Sequence, residues 1–298
     1  MIKSYLKVAL RSFQRNRLVS FINIFGLGLS MSIGLIVMIR LQDALGYDRF
    51  HKKADKVYRI ISSYGKKTGE EWKLASTPLP LYQKLQTGFS SVEKVALVYP
   101  AFSGKATSAG KEIYLSGAFA EPGFFQVFGF TLAAGDAATA LQKPNTVVIN
   151  KNTAEKFFGQ QDAIGKVFTL EDGTSLMVSG ILNDPPGKSH LDYEVYVSYA
   201  SVPALEKNKI LPDRMDKWFA FNAGYTYVLL KEGSTENILR NDLKSISAEL
   251  NKQNNEGMSA FSTQSLLKIT PGSESLGNER SGASWNKFYF EIGVAFKF

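Results

Sequence analysis

The stretch RLVSFINIFGLGLSMSIGLIVMIRL, residues 17–41, carries no charged residue from Leu18 to Ile39. A helix over those 22 residues is about 33 Å long at about 1.5 Å per residue, and the hydrocarbon core of a membrane is about 30 Å thick. A signal peptide usually has a shorter apolar region that ends in a small-residue cleavage site, and no clear site of that kind follows Ile39. The sequence therefore predicts an uncleaved transmembrane helix over residues 18–41, with the buried helix of a soluble protein as the alternative.

Basic residues are concentrated at the N-terminal end of the chain. Residues 1–40 hold six basic residues and no acidic one, whereas the other 258 residues hold 29 basic and 27 acidic ones. By the positive-inside rule, this asymmetry places the N-terminus in the cytoplasm and the residues from about 42 onward outside. Residues 1–17 have an apolar stripe opposite Lys3, Lys7 and Arg11, which predicts an amphipathic helix on the inner membrane face. The net charge of +8 thus indicates membrane topology and no nucleic-acid partner.

The rest of the chain contains two β–α–β patterns, one at each end. The first has a strand, a helix and a strand at 56–65, 76–89 and 91–100, and the second repeats that order at 223–233, 234–251 and 261–270. Two such units pack as one sheet with helices on one face. We therefore expect an α+β fold, with one N-terminal transmembrane helix followed by a two-lobed domain.

The middle of the chain is rich in strands and would form the second lobe. Strands are predicted at 111–120, 145–150 and 193–199, short helices at 121–130 and 151–159, and a hairpin at 166–182 with its turn at Asp172-Gly173. The prolines of Asp184-Pro185-Pro186-Gly187 break the chain after the hairpin. The predicted divisions are the basic helix 1–17, the transmembrane helix 18–41, a β–α–β lobe of 42–110 and 218–275, an inserted lobe of 111–217 and a tail of 276–298.

Two motifs that would indicate enzymatic chemistry are absent or incomplete. The chain has no cysteine, which excludes disulfides, thiolate metal sites and cysteine nucleophiles. The stretch GQQDAIGKVF, residues 159–168, has five residues between its glycines and Val167 after its lysine. A phosphate-binding loop needs four residues there and a serine or threonine after the lysine. A turn between a helix and a strand accounts for these glycines.

The chain has two histidines, His51 and His190, and both lie beside other polar residues. In SHLDY, residues 189–193, Ser189 and Asp192 flank His190, but members of a catalytic triad meet through the fold and not through adjacency. Local hydrogen bonds in a turn therefore explain this stretch better than a hydrolase site. His51 belongs to a group with Asp43, Asp48 and Arg49 just beyond the apolar stretch, which would form either a charged hinge or ordinary interfacial salt bridges. We predict no catalytic, cofactor-binding or metal-binding residue.

Five longer stretches together resemble one family of membrane proteins. They are YLKVALRSFQRNRLVSFINIFGLGLSMSIGL (5–35), YDRFHKKADKVYRI (47–60), AEPGFFQVFGFTLAAGD (120–136), NTVVINKNTAEKFFGQQDAIGKVF (145–168) and VSGILNDPPGKSHLDYEVYVS (178–198). They are similar to the MacB/FtsX-like permeases, the permease subunits of macrolide-export, lipoprotein-release and cell-division ABC transporters. The resemblance implies an inner-membrane protein, without enzymatic activity of its own, whose periplasmic domain lies between its first two membrane helices.

The same resemblance implies partners and a mechanical role. The partners would be a cytoplasmic ATPase subunit, a second copy or paired permease, and a periplasmic adaptor. ATP hydrolysis by the partner would move the membrane helices, and these would move the periplasmic domain that handles the substrate. Neither the resemblance nor the residues indicate which substrate is transported.

The C-terminal tail departs from the family pattern. The family continues into three more membrane helices, whereas the stretch Phe288–Phe298 is short and interrupted by Glu291 and Lys297, so it cannot cross a membrane as a helix. We therefore expect an N-terminal fragment of a permease. Two alternatives remain: a single-pass sensor or scaffold that dimerises through residues 18–39, and an anchored hydrolase that uses His190.

Overall fold

The computed structural model describes residues 5, 11, 14–66, 71–108, 110–159, 161–252, 257–272 and 275–280. The predicted basic helix of residues 1–17 falls largely outside the described residues, and the predictions for Phe288–Phe298 fall wholly outside them. The described residues belong to two units, one that ends at Gly46 and one within Tyr47–Ser284.

The first unit contains one long helix, α1 (Arg17–Leu45), of 29 residues. Apolar side chains on all its sides are exposed, among them Leu18, Phe25, Leu29 and Met38. A helix that is apolar all round needs apolar surroundings, and α1 is long and apolar enough to cross a membrane. The structure thus confirms a helix over residues 18–41, which continues for one more turn at its C-terminal end, while its position in a membrane stays a prediction.

The second unit is built on a sheet of eleven strands among the described residues. These strands are β1 (Val57–Lys66), β2 (Glu71–Leu74), β3 (Val92–Ser108), β4 (Lys111–Ala120), β5 (Leu132–Gly135), β6 (Thr146–Asn150), β7 (Val167–Leu170), β8 (Ser175–Leu182), β9 (Val195–Ser198), β10 (Tyr225–Leu230) and β11 (Gly257–Ser265). The helices are α2 (Leu79–Gln86), α3 (Gly123–Phe128), α4 (Lys151–Phe158), α5 (Val202–Lys207) and α6 (Glu236–Lys252). The main path of the sheet is β11-β1-β10-β3-β4-β9-β6-β8-β5, with β2 paired to β1 and β7 paired to β3 and β8.

The two predicted β–α–β units interleave at one end of this sheet. Strand β10, from the second β–α–β unit, lies between β1 and β3 of the first β–α–β unit and is antiparallel to both. Strand β11 adds to the other side of β1, also antiparallel. This order is the split β–α–β arrangement of ferredoxin-like folds. Helices α2 and α6 pack on one face, where Leu81, Leu85, Leu239 and Leu243 share a core with Ile60, so the predicted mixed α+β architecture is confirmed.

The other face of the sheet carries an aromatic core. The α3 side chains Phe124 and Phe128 are fully buried, and their ring centroids lie 4.6 Å from Tyr196 and 4.9 Å from Tyr227. Gly129, at φ +70°, ends α3 in the left-handed conformation that favours glycine. The β3–β4 hairpin crosses the predicted border between residues 110 and 111 without a break in the sheet. The division into two lobes stays a prediction.

Some element boundaries differ from the prediction. The bounds predicted for the last strand, 261–270, are wrong. Strand β11 begins at Gly257 and ends at Ser265, and a 3₁₀ turn (Leu266–Lys268) follows and buries Leu266. The helix predicted at 76–89 is shorter, because Thr77 pairs with Gly224 as an isolated bridge and α2 begins only at Leu79. The short elements β2, β5 and α5 were not predicted.

Candidate coupling site

The residues directly after α1 belong to the second unit. We call residues 47–56 the entry segment. Asp48 adopts φ +58°, a left-handed conformation that aspartate tolerates better than most residues, and its side chain is buried. Its backbone N–H donates to the carbonyl oxygen of Lys188 at 2.8 Å. The entry segment is thereby held against the loop that precedes β9.

The carboxylate of Asp48 is the centre of a buried hydrogen-bond network. Its Oδ1 accepts from the hydroxyl of Ser189 at 2.6 Å, and its Oδ2 lies 2.7 Å from Nδ1 of His190. The backbone N–H of His190 also donates to Oδ1, at 3.3 Å, and Nε2 of His51 lies at the same distance from that oxygen. A buried carboxylate is tolerated only with donors of this kind around it.

The hydrogen bonds decide the charge of Asp48. Burial by itself would raise the pKa of this carboxyl group, but hydrogen bonds from His190, His51 and Ser189 outweigh burial and hold the pKa well below its usual range. Asp48 is therefore ionised at neutral pH. Its charge is stabilised by side chains that lie far apart in the sequence.

The network continues into the sheet through His190. Nε2 of His190 lies 2.8 Å from the hydroxyl of Tyr227, a buried side chain on β10. Burial lowers the pKa of His190, although the neighbouring Asp48 acts in the opposite direction. The chain of contacts from Asp48 through His190 to Tyr227 joins the entry segment to a strand that has neighbours on both sides.

A second segment, residues 275–280, is attached to the same strand. The hydroxyl of Tyr225 donates to the carbonyl oxygen of Asn278 at 2.7 Å. The guanidinium of Arg59, fully buried on β1, makes two bonds of 2.8 and 2.9 Å to the carboxylate of Glu279. Arg280 stacks over the ring of Tyr193, with its Cζ 4.7 Å from the ring centroid.

Both attachments are made by the same face of β10. Tyr225 and Tyr227 are two positions apart on one strand, so their side chains point to the same side. Tyr227 reaches the entry segment through His190, and Tyr225 reaches residues 275–280 directly. We call these two attachments the entry fastener and the 275–280 fastener.

A cavity of about 310 Å³ lies beside the entry fastener. Its lining includes Tyr47, Ser189, Phe130 and Tyr193. Asp192, two positions after His190 in the sequence, lines this cavity. Among the contacts of the described residues, it makes no hydrogen bond to His190.

The structure places the polar residues singled out in the sequence at different positions. Asp48 and His51 of the predicted hinge enter the network, while Asp43 lies within α1 and Arg49 is exposed. Ser189 accepts from the N–H of Leu191 at 3.1 Å, the local turn bond that was expected, but its hydroxyl proton goes to Asp48. Sequence reasoning missed the meeting of Asp48 with His190, since no local pattern marks a contact across 142 positions.

The arrangement of Ser189, His190 and Asp48 is not that of a hydrolytic triad. In a triad the serine hydroxyl faces a histidine nitrogen, whereas Ser189 faces the carboxylate and His190 Nε2 faces a buried tyrosine. Across the described part of the chain, no group of three or more metal-ligating side chains is placed to hold a metal ion. Gly159 and Gly165 serve turns, one at the end of α4 and one before β7.

Comparison with solved structures finds similar domains in other proteins. A domain of a putative permease from Porphyromonas gingivalis has a TM-score of 0.61 and 18% identity, and the match covers 72% of this chain and 91% of that one. The periplasmic region of MacB from Actinobacillus actinomycetemcomitans has a TM-score of 0.45 and 14% identity, with 68% and 87% covered. The extracellular domain of the ABC-type transporter YknZ from Gram-positive bacteria has a TM-score of 0.46 and 16% identity, with 70% and 99% covered.

Comparison with the sequence profiles of protein families identifies the family of this chain. No curated protein matches the chain significantly. The profile of the MacB-like periplasmic core domain matches residues 20–246, which is most of the chain. The chain therefore belongs to the MacB-like periplasmic core domain family.

Proposed function

We propose that this chain is the membrane subunit of an ABC transporter of the macrolide-export, lipoprotein-release or cell-division type. Its N-terminus lies in the cytoplasm, α1 crosses the inner membrane, and the residues from about 42 onward lie in the periplasm. Family membership supports this assignment, and so does the excess of basic residues before α1. The partners of the proposal are a cytoplasmic ABC ATPase, a second copy or paired permease, and a periplasmic adaptor.

The entry fastener is the observation that carries a mechanical role. Asp48 lies three residues after the end of α1, and it is tied through His190 to β10. Only Gly46 and Tyr47 lie between the last residue of α1 and Asp48, so we propose that a displacement of α1 that the ATPase drives would pass into the sheet. A flexible connection would absorb the same displacement.

The 275–280 fastener supports the same role at the other end of the domain. We propose that the tail of 276–298 leads toward a second membrane helix, as in the family. Residues 275–280 would then be the return connection, held by Tyr225 and Arg59. Both connections to the membrane would act on β10, in the proposed lobe of 42–110 and 218–275, and the entry fastener would reach β10 through His190 of the proposed inserted lobe.

Single cysteines test the topology, since the natural chain has none. Tyr5→Cys and Lys143→Cys place a thiol at an exposed position before and after α1. A membrane-impermeant maleimide added to cells with a permeabilised outer membrane should label the second variant and leave the first unlabelled until the inner membrane is opened. Labelling in the reverse order would contradict the proposal.

The ATPase partner requires a separate experiment. The full chain, tagged at its N-terminus, is purified from its native membranes in mild detergent, and the bound proteins are identified by mass spectrometry. The proposal predicts an ABC ATPase subunit in the wild-type sample. Its absence from this sample, while the tagged chain itself is recovered folded, would contradict the transporter assignment and leave the topology result intact.

The cavity beside the entry fastener favours a second candidate, a single-pass sensor or scaffold. A ligand in this cavity would touch Tyr47 and Ser189, so its binding would act on the fastener. The sensor hypothesis requires a dimer through residues 18–39 to carry a signal. A strictly monomeric chain in detergent would exclude this candidate.

A further inference from the structure

Both ring nitrogens of His51 face hydrogen-bond acceptors. Nδ1 lies 2.6 Å from the carbonyl oxygen of Phe128, and Nε2 lies 3.3 Å from Oδ1 of Asp48. A carbonyl oxygen and an ionised carboxylate can only accept hydrogen bonds. Each nitrogen must therefore carry a proton to make its contact, which is the form of the charged imidazolium.

His190, on the same carboxylate, has a different requirement. Its Nδ1 faces Oδ2 of Asp48 and must donate, but its Nε2 faces the hydroxyl of Tyr227, which can itself donate. A neutral imidazole with its proton on Nδ1 satisfies both contacts. Burial also lowers the pKa of His190, which agrees with a neutral ring.

Aromatic rings surround the imidazole of His51. Its ring centroid lies 4.1 Å from that of Phe50, 5.3 Å from that of Phe130 and 5.6 Å from that of Phe128. An aromatic ring attracts a cation that lies over its face within about 6 Å, and the planes of Phe50, Phe128 and Phe130 are inclined at 40°, 58° and 82° to that of His51. A buried carboxylate also costs less free energy when an opposite charge accompanies it.

Apart from Asp48, the groups named around His51 are neutral or carry a charge that is paired with another residue. The entry segment contributes the negative charge of Asp48, and the loop before β9 contributes the neutral ring of His190. Helix α3 contributes the carbonyl of Phe128, and β10 contributes the hydroxyl of Tyr227 behind His190. Arg59 of β1 acts on His190, but its own charge is paired with Glu279.

We propose that His51 is a buried imidazolium and that its second proton fastens the entry segment, so that loss of this proton releases the segment. Without that proton, a lone pair of His51 would face the carboxylate of Asp48 in place of a donor. The proposal goes beyond the transporter assignment, which requires an attached entry segment but no particular protonation state.

Nitrogen NMR tests the protonation states directly, because the chain has only two histidines. The full chain, labelled with ¹⁵N-histidine in detergent micelles at pH 7, gives signals from four ring nitrogens. The proposal predicts three protonated nitrogens and one bare nitrogen. His51→Gln should remove two protonated signals, and Tyr227→Phe should shift the bare one most, because its hydroxyl faces Nε2 of His190, which assigns the spectrum even if the first variant does not fold. Two protonated and two bare nitrogens in the wild type would overturn the proposal.

The release is tested in the same sample type with two spin labels. Lys52→Cys in the entry segment and Lys143→Cys before β6 are both exposed positions. As the pH is raised until the NMR spectrum shows that His51 has lost a proton, the distribution of distances between the labels should broaden at least twofold. A distribution that stays narrow after the proton is lost would overturn the release.

Discussion

Nδ1 of His190 lies 2.7 Å from Oδ2 of Asp48, although the two residues are 142 positions apart. This contact makes the segment after the membrane helix part of the core of the domain. His190 then reaches Tyr227 of β10, so the attachment ends inside the sheet and not at its surface.

Asp48→Asn should destabilise the protein strongly. The side-chain amide keeps the size of the carboxylate, but it removes the charge that accepts from Ser189 and His190, and breaking a buried charged network costs about 3–5 kcal/mol. Chemical denaturation of the full chain in detergent measures this loss. The matched control is Asp184→Asn, which removes an exposed ion pair with Lys151 and should cost less than about 1 kcal/mol. Equal losses in the two variants would contradict the role of Asp48.

Glu121 should give the stability a dependence on pH between about 4.5 and 7. Burial raises the pKa of its carboxyl group to about 7, although the N–H of Gly123 donates to Oε2 at 2.7 Å. Because the folded state holds this proton more tightly than the unfolded state, the stabilisation is complete at low pH and is lost as the pH rises through 7. The loss is about 3 kcal/mol.

Glu121→Gln should remove this part of the pH dependence. The amide cannot ionise but can still accept from the N–H of Gly123. Free energies of unfolding measured at several pH values between 4 and 8 compare the two proteins. The same slope in both would show that another group is responsible.

Tyr227→Phe and Tyr225→Phe should loosen two different segments. Each substitution removes one buried hydrogen bond, at a cost of about 1 kcal/mol. Hydrogen exchange followed by mass spectrometry should show faster exchange at residues 47–56 in the first variant and at residues 275–280 in the second. The two variants are controls for each other, and an identical pattern in both would contradict separate fasteners.

Arg59 should not be replaceable by lysine. Its guanidinium holds Glu279 with two bonds and also donates from Nε to the side chain of Gln264 at 3.1 Å. A lysine ammonium cannot reproduce this planar set of donors. Arg59→Met should cost about 3–5 kcal/mol, and Arg59→Lys should recover less than half of that. Lys53→Met, which breaks the exposed pair with Glu93, is the control and should cost less than about 1 kcal/mol. Full recovery by lysine would show that charge alone matters at this position.

Local signals made much of the fold predictable. The uncharged run from Leu18 to Ile39 predicted α1, and spacings of three and four among leucines, such as Leu239 and Leu243, predicted α6. The interleaving of the two β–α–β units follows from their order, because such pairs pack as one sheet. Strand β5 (Leu132–Gly135) was missed since four residues with two alanines and a glycine carry no clear alternation.

The network around Asp48 was less predictable, because it depends on tertiary contacts. The sequence singled out His190 because Ser189 and Asp192 lie beside it, but the carboxylate that His190 contacts belongs to Asp48. The end of β11 was misplaced for a related reason: Leu266 and Leu267 continue the apolar pattern of a strand, yet the chain turns there to bury Leu266. The sequence indicates Tyr225 and Tyr227 only as strand residues. Their hydroxyl hydrogen bonds form only when the entry segment and residues 275–280 are packed against the sheet.

The distance between Lys52→Cys and Lys143→Cys tests the central claim most directly. Spin labels at these positions are measured at pH 7 in the full chain in lipid nanodiscs with its ATPase partner, both without nucleotide and after trapping with ATP and vanadate. If the entry segment moves with the domain, the wild-type distance distribution is narrow and identical in the two states, and Asp48→Asn broadens it. A wild-type distance that changes with nucleotide, or is broad from the start, would contradict a fastened entry segment.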